Sequence, residues 1–270
     1  MGIGEAGELL RKSTVHIRSG SGRSQGTGSG IIWSSTGAIV SNAHVIGRGS
    51  EIQVDLWDGR SFPATLVSKD DGRDLARLQV STFGLPAIEQ RQSPVRPGEL
   101  AIAVGNPMGF TGALSRGTVH STNAFPGLGR RRPWVQAAIR LAPGNSGGPL
   151  ADAVGRLIGV NTMITSSGIA LAIPTSEAQL FMQRGPTPRL GVTLRPTPQG
   201  LLLLDVEVGS PAEKASLLIG DLLVFESSAD LSDAIAEAAD RPLTIRFIRG
   251  DRRREREVVV RLYESAREAA

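Results

Sequence analysis

From Ser13 to Pro174 the chain is a succession of short β-branched or alternating runs broken by Gly, Pro, Ser and Asn. Glu51 to Leu56 places Ile52, Val54 and Leu56 on one face, and Leu100 to Val104, Ser115 to His120 and Leu157 to Thr162 repeat the theme. A period of two puts a strand's apolar residues on one side. Many short strands between turn signals must therefore close on themselves or stack, which predicts a barrel or a sandwich. At 270 residues, 40% of them hydrophobic, the chain can build two ordinary domains. No apolar run is long enough to span a bilayer, and Leu201 to Leu204 reads as a buried strand.

Within this β-rich stretch, Gly144-Asn145-Ser146-Gly147-Gly148-Pro149 sets a serine in a glycine-flanked turn. Such a bend suits a hydroxyl nucleophile with main-chain N–H groups near a developing oxyanion. Upstream, Gly37-Ala38-Ile39-Val40 reads as a strand leading into Ser41-Asn42-Ala43-His44, a placement that suits a general base held by a rigid element. Asp74 precedes the strand-like Leu75 to Val80 and can orient the histidine, whereas Asp70-Asp71-Gly72 reads as a turn. His16 and His120 lie inside expected strands without a chemical partner in sequence and are read as structural. The order His, Asp, Ser is that of chymotrypsin-like enzymes and differs from subtilisins and α/β-hydrolases.

Together with Gly28-Ser29-Gly30-Ile31-Ile32, Ala103-Val104-Gly105-Asn106-Pro107 and Leu171-Ala172-Ile173-Pro174, these segments resemble the HtrA/Deg family of serine proteases over nearly the whole chain. The resemblance implies a mostly β fold: a chymotrypsin-like pair of six-stranded antiparallel barrels, followed by an α+β PDZ domain. It implies that His44, Asp74 and Ser146 are base, orienting acid and nucleophile. The backbone N–H groups of Gly144, Asn145 and Ser146 would then build the oxyanion hole. The implied domains are 1–185 for the protease and 186–270 for the PDZ domain.

After Pro174, Ser176 to Arg184 predicts a short helix stopped by Gly185 and Pro186, and 183–188 reads as a proline-stiffened linker. The tail predicts strands over Leu190 to Leu194, Leu201 to Val206, Asp221 to Phe225, Leu243 to Ile248 and Glu257 to Leu262. Ser210-Pro211-Ala212-Glu213 is a capping box, and a second helix starts near Asp230. Arg189-Leu190-Gly191-Val192 resembles the PDZ carboxylate loop, so Leu190, Gly191 and Val192 are expected to take a peptide C-terminus. Phe225 to Asp230 leaves little room for the turn and strand that usually separate these elements.

Several features bound the function. The chain has no cysteine, no zinc-ligand spacing and no phosphate loop, so neither metal nor nucleotide cofactor is expected. The net charge is only +4, and Arg130-Arg131-Arg132 and Arg252-Arg253-Arg254 lack interleaved aromatics, so no nucleic-acid partner is expected. The first eight residues have no basic start and no apolar core, which suggests the cytoplasm; relatives work mostly outside it, and a removed targeting segment is the alternative.

The expected activity is ATP-independent cleavage of unfolded or extended protein segments in protein quality control. The alternative is a catalytically weak or silent peptide-binding chaperone or scaffold. In the family, the strand before the nucleophile loop commonly ends in polar anchors, but here it reads Ala138-Ile139-Arg140-Leu141-Ala142. Arg140, six residues before Ser146, suggests tolerance for an acidic side chain before the scissile bond. Ser19 to Thr27 is too short to block the site, and Asn123 to Arg132 falls where the family's sensor loop lies. A homotrimer is the family expectation, although Glu5 to Lys12 offers Leu9 and Leu10 without an aromatic anchor.

Overall fold

The computed structural model describes residues 2–20, 26–47, 51–125, 133–183, 190–238, 241–250 and 254–262. The chain divides into two compact units, Met1–Pro186 and Thr187–Ala270.

The first unit holds two closed barrels. Barrel one comprises β1 (Thr14–Ser19), β2 (Gly26–Ile32), β3 (Ala38–Ser41), β4 (Ile52–Asp55), β5 (Ser61–Asp70) and β6 (Leu75–Val80), closed in the order β1-β2-β3-β6-β5-β4. Barrel two comprises β7 (Leu100–Gly105), β8 (Ala113–Ser121), β9 (Val135–Ala138), β10 (Pro149–Ala151), β11 (Leu157–Ile164) and β12 (Ala170–Pro174), closed in the order β10-β11-β12-β9-β8-β7. Every pairing in both is antiparallel.

Alternation along the strands explains why several read as continuous apolar runs. Ile32, Ile39, Ala76, Leu78 and Val80 fill barrel one, while Ile31, Val40 and Leu75 point the other way into a core shared with barrel two. From the second barrel, Ile102, Val104, Leu157, Val160 and Ile173 enter the same shared core, and Ala101, Ala103, Ala137, Ala170 and Ala172 line the barrel's own interior. A strand buried on both faces has no polar side to show in sequence, and small interior residues suit a narrow six-stranded barrel.

Two helices seal this shared core. The N-terminal segment that offers Leu9 and Leu10 is helix α1 (Ile3–Ser13), with Ala6 and Leu10 buried and Leu9 exposed. Helix α2 (Thr175–Gln183) buries Ala178, Phe181 and Met182 in the shared core and anchors its start through Thr175 Oγ1, which donates to the Leu157 carbonyl at 2.9 Å.

The second unit is a five-stranded sheet, β13 (Val192–Thr197), β14 (Gly200–Val206), β15 (Leu222–Leu223), β16 (Leu243–Ile248) and β17 (Glu255–Val260), with neighbours in that order. Helices α3 (Pro211–Lys214) and α4 (Ser228–Ala238) accompany it, and Leu231, Ile235 and Ala238 of α4 share a core with Leu201, Leu203, Ile245 and Phe247. The first strand begins later than expected because Gly191 takes φ +75°, a left-handed break that glycine tolerates. The third is shorter than expected because Phe225 N–H turns back to the Leu223 carbonyl at 3.0 Å. The capping box forms with an offset: Ser210 Oγ accepts from Glu213 N–H at 3.2 Å, while Glu213 Oε2 accepts from Gly209 N–H at 2.6 Å.

Candidate active site

Strand β3 delivers Asn42 and then a single helical turn, Ala43–Val45, that carries His44. Asp74 lies at the end of the β5–β6 turn with φ +55°, a conformation that a non-glycine residue rarely takes. Its carboxylate meets the imidazole: His44 Nδ1 lies 2.8 Å from Asp74 Oδ2 and 2.9 Å from Oδ1, and His44 backbone N–H donates to Oδ1 at 3.0 Å. A carboxylate on one ring nitrogen assigns the proton to Nδ1 and leaves Nε2 as the acceptor.

The hydrogen bond to Asp74 is the main cause that raises the His44 pKa above its ordinary value. Burial opposes the shift, the Asp74 charge adds to it, and Lys69 works against it. The other two acids do not reach the imidazole. Asp70 is buried on Arg73 at 2.9 Å, and Asp71 pairs with Lys69 at 3.0 Å.

Further contacts hold Asp74. Its backbone carbonyl accepts from Asn42 Nδ2 at 2.9 Å, and Thr162 Oγ1 donates to its Oδ2. Thr162 also ties in the serine, because Ser146 Oγ donates to the Thr162 carbonyl at 3.1 Å. The structure therefore joins His44 and Asp74 directly and brings Ser146 to the pair through Thr162. Among the described residues no hydrogen bond connects Ser146 Oγ to the imidazole.

The nucleophile turn is cross-braced. Asn145 N–H donates to the Ala142 carbonyl at 3.0 Å and is thereby occupied, whereas the N–H groups of Gly144 and Ser146 have no hydrogen-bond acceptor among the described residues. Gly147 takes φ +83°, and its N–H donates to the Asn161 carbonyl at 2.8 Å. Ser29 on β2 is the brace from barrel one. Its N–H donates to the Ser146 carbonyl at 2.8 Å, and its Oγ donates to the Gly144 carbonyl at 2.7 Å and accepts from Asn106 N–H at 2.9 Å. Asn106 Oδ1 in turn accepts from Gly112 N–H at 3.0 Å.

The sequence pattern assigns no role to Ser29, Asn42, Asn106 or Thr162, although Ser29, Asn42 and Asn106 lie in segments that carry the resemblance. Their contacts with Asp74, Gly144 and Ser29 span 32 to 115 residues, which no local pattern encodes. Arg140 is exposed just after β9 and has no acidic partner among the described residues. His16 contacts Thr27 Oγ1 at 2.8 Å and Asp55 at 3.4 Å, and His120 is exposed.

In the second unit Leu190 is buried and Gly191 packs so closely on Ser210 that a Cβ there would collide with it. The Leu190 carbonyl accepts from Ala212 N–H at 3.0 Å, and the Gly191 carbonyl from Glu207 N–H at 2.9 Å. Val192 opens β13, whose one neighbour among the described strands is β14, leaving its outer edge unpaired. Residues 126–132 of the expected sensor loop, 21–25, residues 184–188 of the expected linker, Arg189 of the expected carboxylate loop, and Arg252 and Arg253 lie outside the described residues.

Two closed antiparallel barrels, with a serine in a braced turn and a histidine–aspartate pair tied to it through Thr162, are the arrangement of a trypsin-like peptidase. Residues 28–160 match the family described as a trypsin-like peptidase domain. The mitochondrial serine protease HTRA2 of Drosophila pseudoobscura pseudoobscura is 32% identical over 88% of this chain and 67% of its own length. HhoB of Synechocystis sp. is 34% identical over 85% of this chain and 65% of its own. The chain thus spans about two thirds of these curated relatives. Among solved structures, the HtrA-type protease AlgW with a decapeptide superposes with TM-score 0.64 at 26% identity, covering 97% of this chain and 98% of that one. The serine endoprotease from Yersinia pestis gives TM-score 0.66 at 26% identity, covering 97% of each chain. The chain belongs to the HtrA family of serine proteases.

Proposed function

We propose that the chain is an ATP-independent serine endopeptidase that cuts unfolded or extended protein segments in protein quality control. The contact that carries the reading is the His44–Asp74 pair, whose carboxylate accepts from Thr162 Oγ1 while the Thr162 carbonyl accepts from Ser146 Oγ. In the reaction Ser146 Oγ attacks the scissile carbonyl, His44 Nε2 takes the proton and returns it to the leaving amine, and Asp74 stabilises the imidazolium. Water then repeats the cycle on the acyl-enzyme. The N–H groups of Gly144 and Ser146 receive the oxyanion, with Asn145 N–H bracing the turn that aims them.

An extended substrate has a matching edge. Strand β10 covers β11 only as far as Val160, and β12 covers the other side through Ile164. Beyond the Thr162 carbonyl that accepts from Ser146 Oγ, one edge of Met163 and Ile164 has no strand partner among the described residues, and both side chains are exposed. Arg140 would accept an acidic side chain before the scissile bond, a preference that profiling with a peptide library tests. Products carrying only small aliphatic residues there would refute it.

The domains we assign are 1–185 for the protease and 186–270 for a PDZ domain, in which Leu190, Gly191 and Val192 take a peptide C-terminus and the peptide extends β13. A homotrimer assembled through the barrels fits the exposed Leu9 of α1, and sedimentation at monomer mass would exclude it.

A second reading, a silent peptide-binding scaffold, draws on the bond from Ser146 Oγ to the Thr162 carbonyl in place of the imidazole. One experiment separates the two: fluorophosphonate labelling and casein digestion by the intact chain beside Ser146→Ala. Labelling and cleavage that vanish in the variant support the endopeptidase, and equal inertness of both proteins supports the scaffold.

A further inference from the structure

The turn that presents Asp74 is gripped from outside its own barrel. Along β6 the even positions Ala76, Leu78 and Val80 fill barrel one, so Leu75 and Arg77 face outwards, and Leu75 shares a core with Ala178, Phe181 and Met182 of α2. Arg77 Nη1 donates to the Met182 carbonyl at 3.1 Å, a backbone acceptor in the last turn of α2. Arg73, adjacent to Asp74 on the other side, closes the turn by donating to Asp70 through its N–H at 2.8 Å and its Nη1 at 2.9 Å. Its Nε lies 3.7 Å from Glu177 in the first turn of α2. Two arginines that bracket Asp74 therefore end on one helix, at its beginning and at its end, and the residue between them sits at φ +55°.

We propose that α2 is a positioning strap for Asp74, with Arg73 and Arg77 as the positioning residues, a role that rests on the endopeptidase reading of the same site. A left-handed aspartate persists only where its surroundings over-determine it. Here the helix that follows barrel two supplies part of that restraint to a turn of barrel one. Slackening the strap lets the carboxylate swing away from His44, which costs orientation of the base and leaves the bulk of both barrels intact.

The charged groups acting on His44 are Asp74 from the β5–β6 turn and Lys69 from β5, so a looser Asp74 lets the imidazole titrate at lower pH. The variants are Arg77→Met, which keeps the apolar stem and removes the donor, Arg77→Lys, which keeps a donor, and Glu177→Gln on the helix. Each is assayed in the full chain for kcat and KM on a fluorogenic peptide. Each is also combined with Ser146→Ala so that NMR can follow the His44 titration without self-cleavage. The expected result is a roughly tenfold lower kcat for Arg77→Met with KM within about twofold, since a tenfold loss is a small fraction of what the base contributes. The His44 midpoint moves to lower pH, Arg77→Lys largely recovers both readouts, and Glu177→Gln gives a smaller shift in the same direction. An unchanged His44 midpoint and kcat in Arg77→Met and Glu177→Gln, whatever their melting temperatures, overturns the strap. Should Arg77→Met fail to fold, the Glu177→Gln titration decides. Inertness of the unsubstituted chain towards fluorophosphonate defeats the endopeptidase reading instead, and the NMR midpoints still judge the strap.

Discussion

Replacing Ser29 with alanine tests the cross-brace between the barrels. Ser29 is fully buried, and its hydroxyl serves two groups that have no other hydrogen-bond partner among the described residues: the Gly144 carbonyl at 2.7 Å and Asn106 N–H at 2.9 Å. The Asn106 side-chain amide, 3.2 Å from the same oxygen, keeps its bond to the Val15 carbonyl at 2.9 Å and loses less. Leaving a buried donor or acceptor unmade costs about 1–3 kcal/mol each, so the substitution should destabilise the first unit by roughly 3 kcal/mol. For a unit of this size that lowers Tm by about 6–12 °C. The Gly144 carbonyl belongs to the peptide whose N–H is held by Ala142, so freeing it also loosens the turn that carries Ser146. Fluorophosphonate labelling should then slow at least about tenfold, the loss expected when oxyanion donors are misaimed. Differential scanning calorimetry beside Ser81→Ala, an exposed serine just after β6, provides the control. A Ser29→Ala protein that melts within about 2 °C of the parent and labels at its rate would refute the idea that this hydroxyl holds the turn.

Gly147→Ala should lose about 4 kcal/mol in chemical denaturation, because the residue sits at φ +83° and an added Cβ collides with the Ser29 carbonyl oxygen and Ser41 Oγ; a midpoint near the parent's would contradict this. Asp74→Asn should lower kcat by about 10⁴-fold, as expected when the base loses its orienting carboxylate. It should also move the rise of activity with pH to lower values, because the Asp74 bond that lifts the His44 pKa above 6.5 is gone. In the parent, the stability His44 gains from that bond is fully present below its unfolded pKa of 6.5 and is lost as pH rises through the lifted folded value. The stability gap between parent and Asp74→Asn should therefore narrow as pH rises through that window, and a gap that widens would reverse the assignment. Ser210→Ala removes the N-cap of α3 and should cost the second unit about 1 kcal/mol, or roughly 4–8 °C, leaving the melting of the first unit unchanged.

Period-two alternation and turn residues were enough to read a β-rich stretch from Ser13 to Pro174 with strands close to their observed bounds, because strand faces and turns are local properties. The serine turn, the histidine after β3 and the aspartate before β6 were legible for the same reason: each sits at the end of an element whose residues announce it. Asp74 could be preferred over Asp70 and Asp71 from the strand that follows it, and the carboxylate contact with His44 agrees with that preference. The helix Ile3–Ser13 and the delayed start of β13 were less legible. One gains its stability from burying Ala6 and Leu10 in the core that the two barrels share, and the other depends on a single left-handed glycine.

The amino-acid order alone thus determined which chemical groups the chain possesses and where along the strands they stand. What only the tertiary structure decided is which of them share a hydrogen bond. Ser29 with Gly144, Thr162 with Asp74 and Arg77 with Met182 meet across 88 to 115 residues. Such bonds reward the fold only after two barrels have closed and packed. Their partners are ordinary serines, threonines and arginines until that packing removes water from around them, and it is the loss of water that turns an ordinary polar residue into a fixed part of the site.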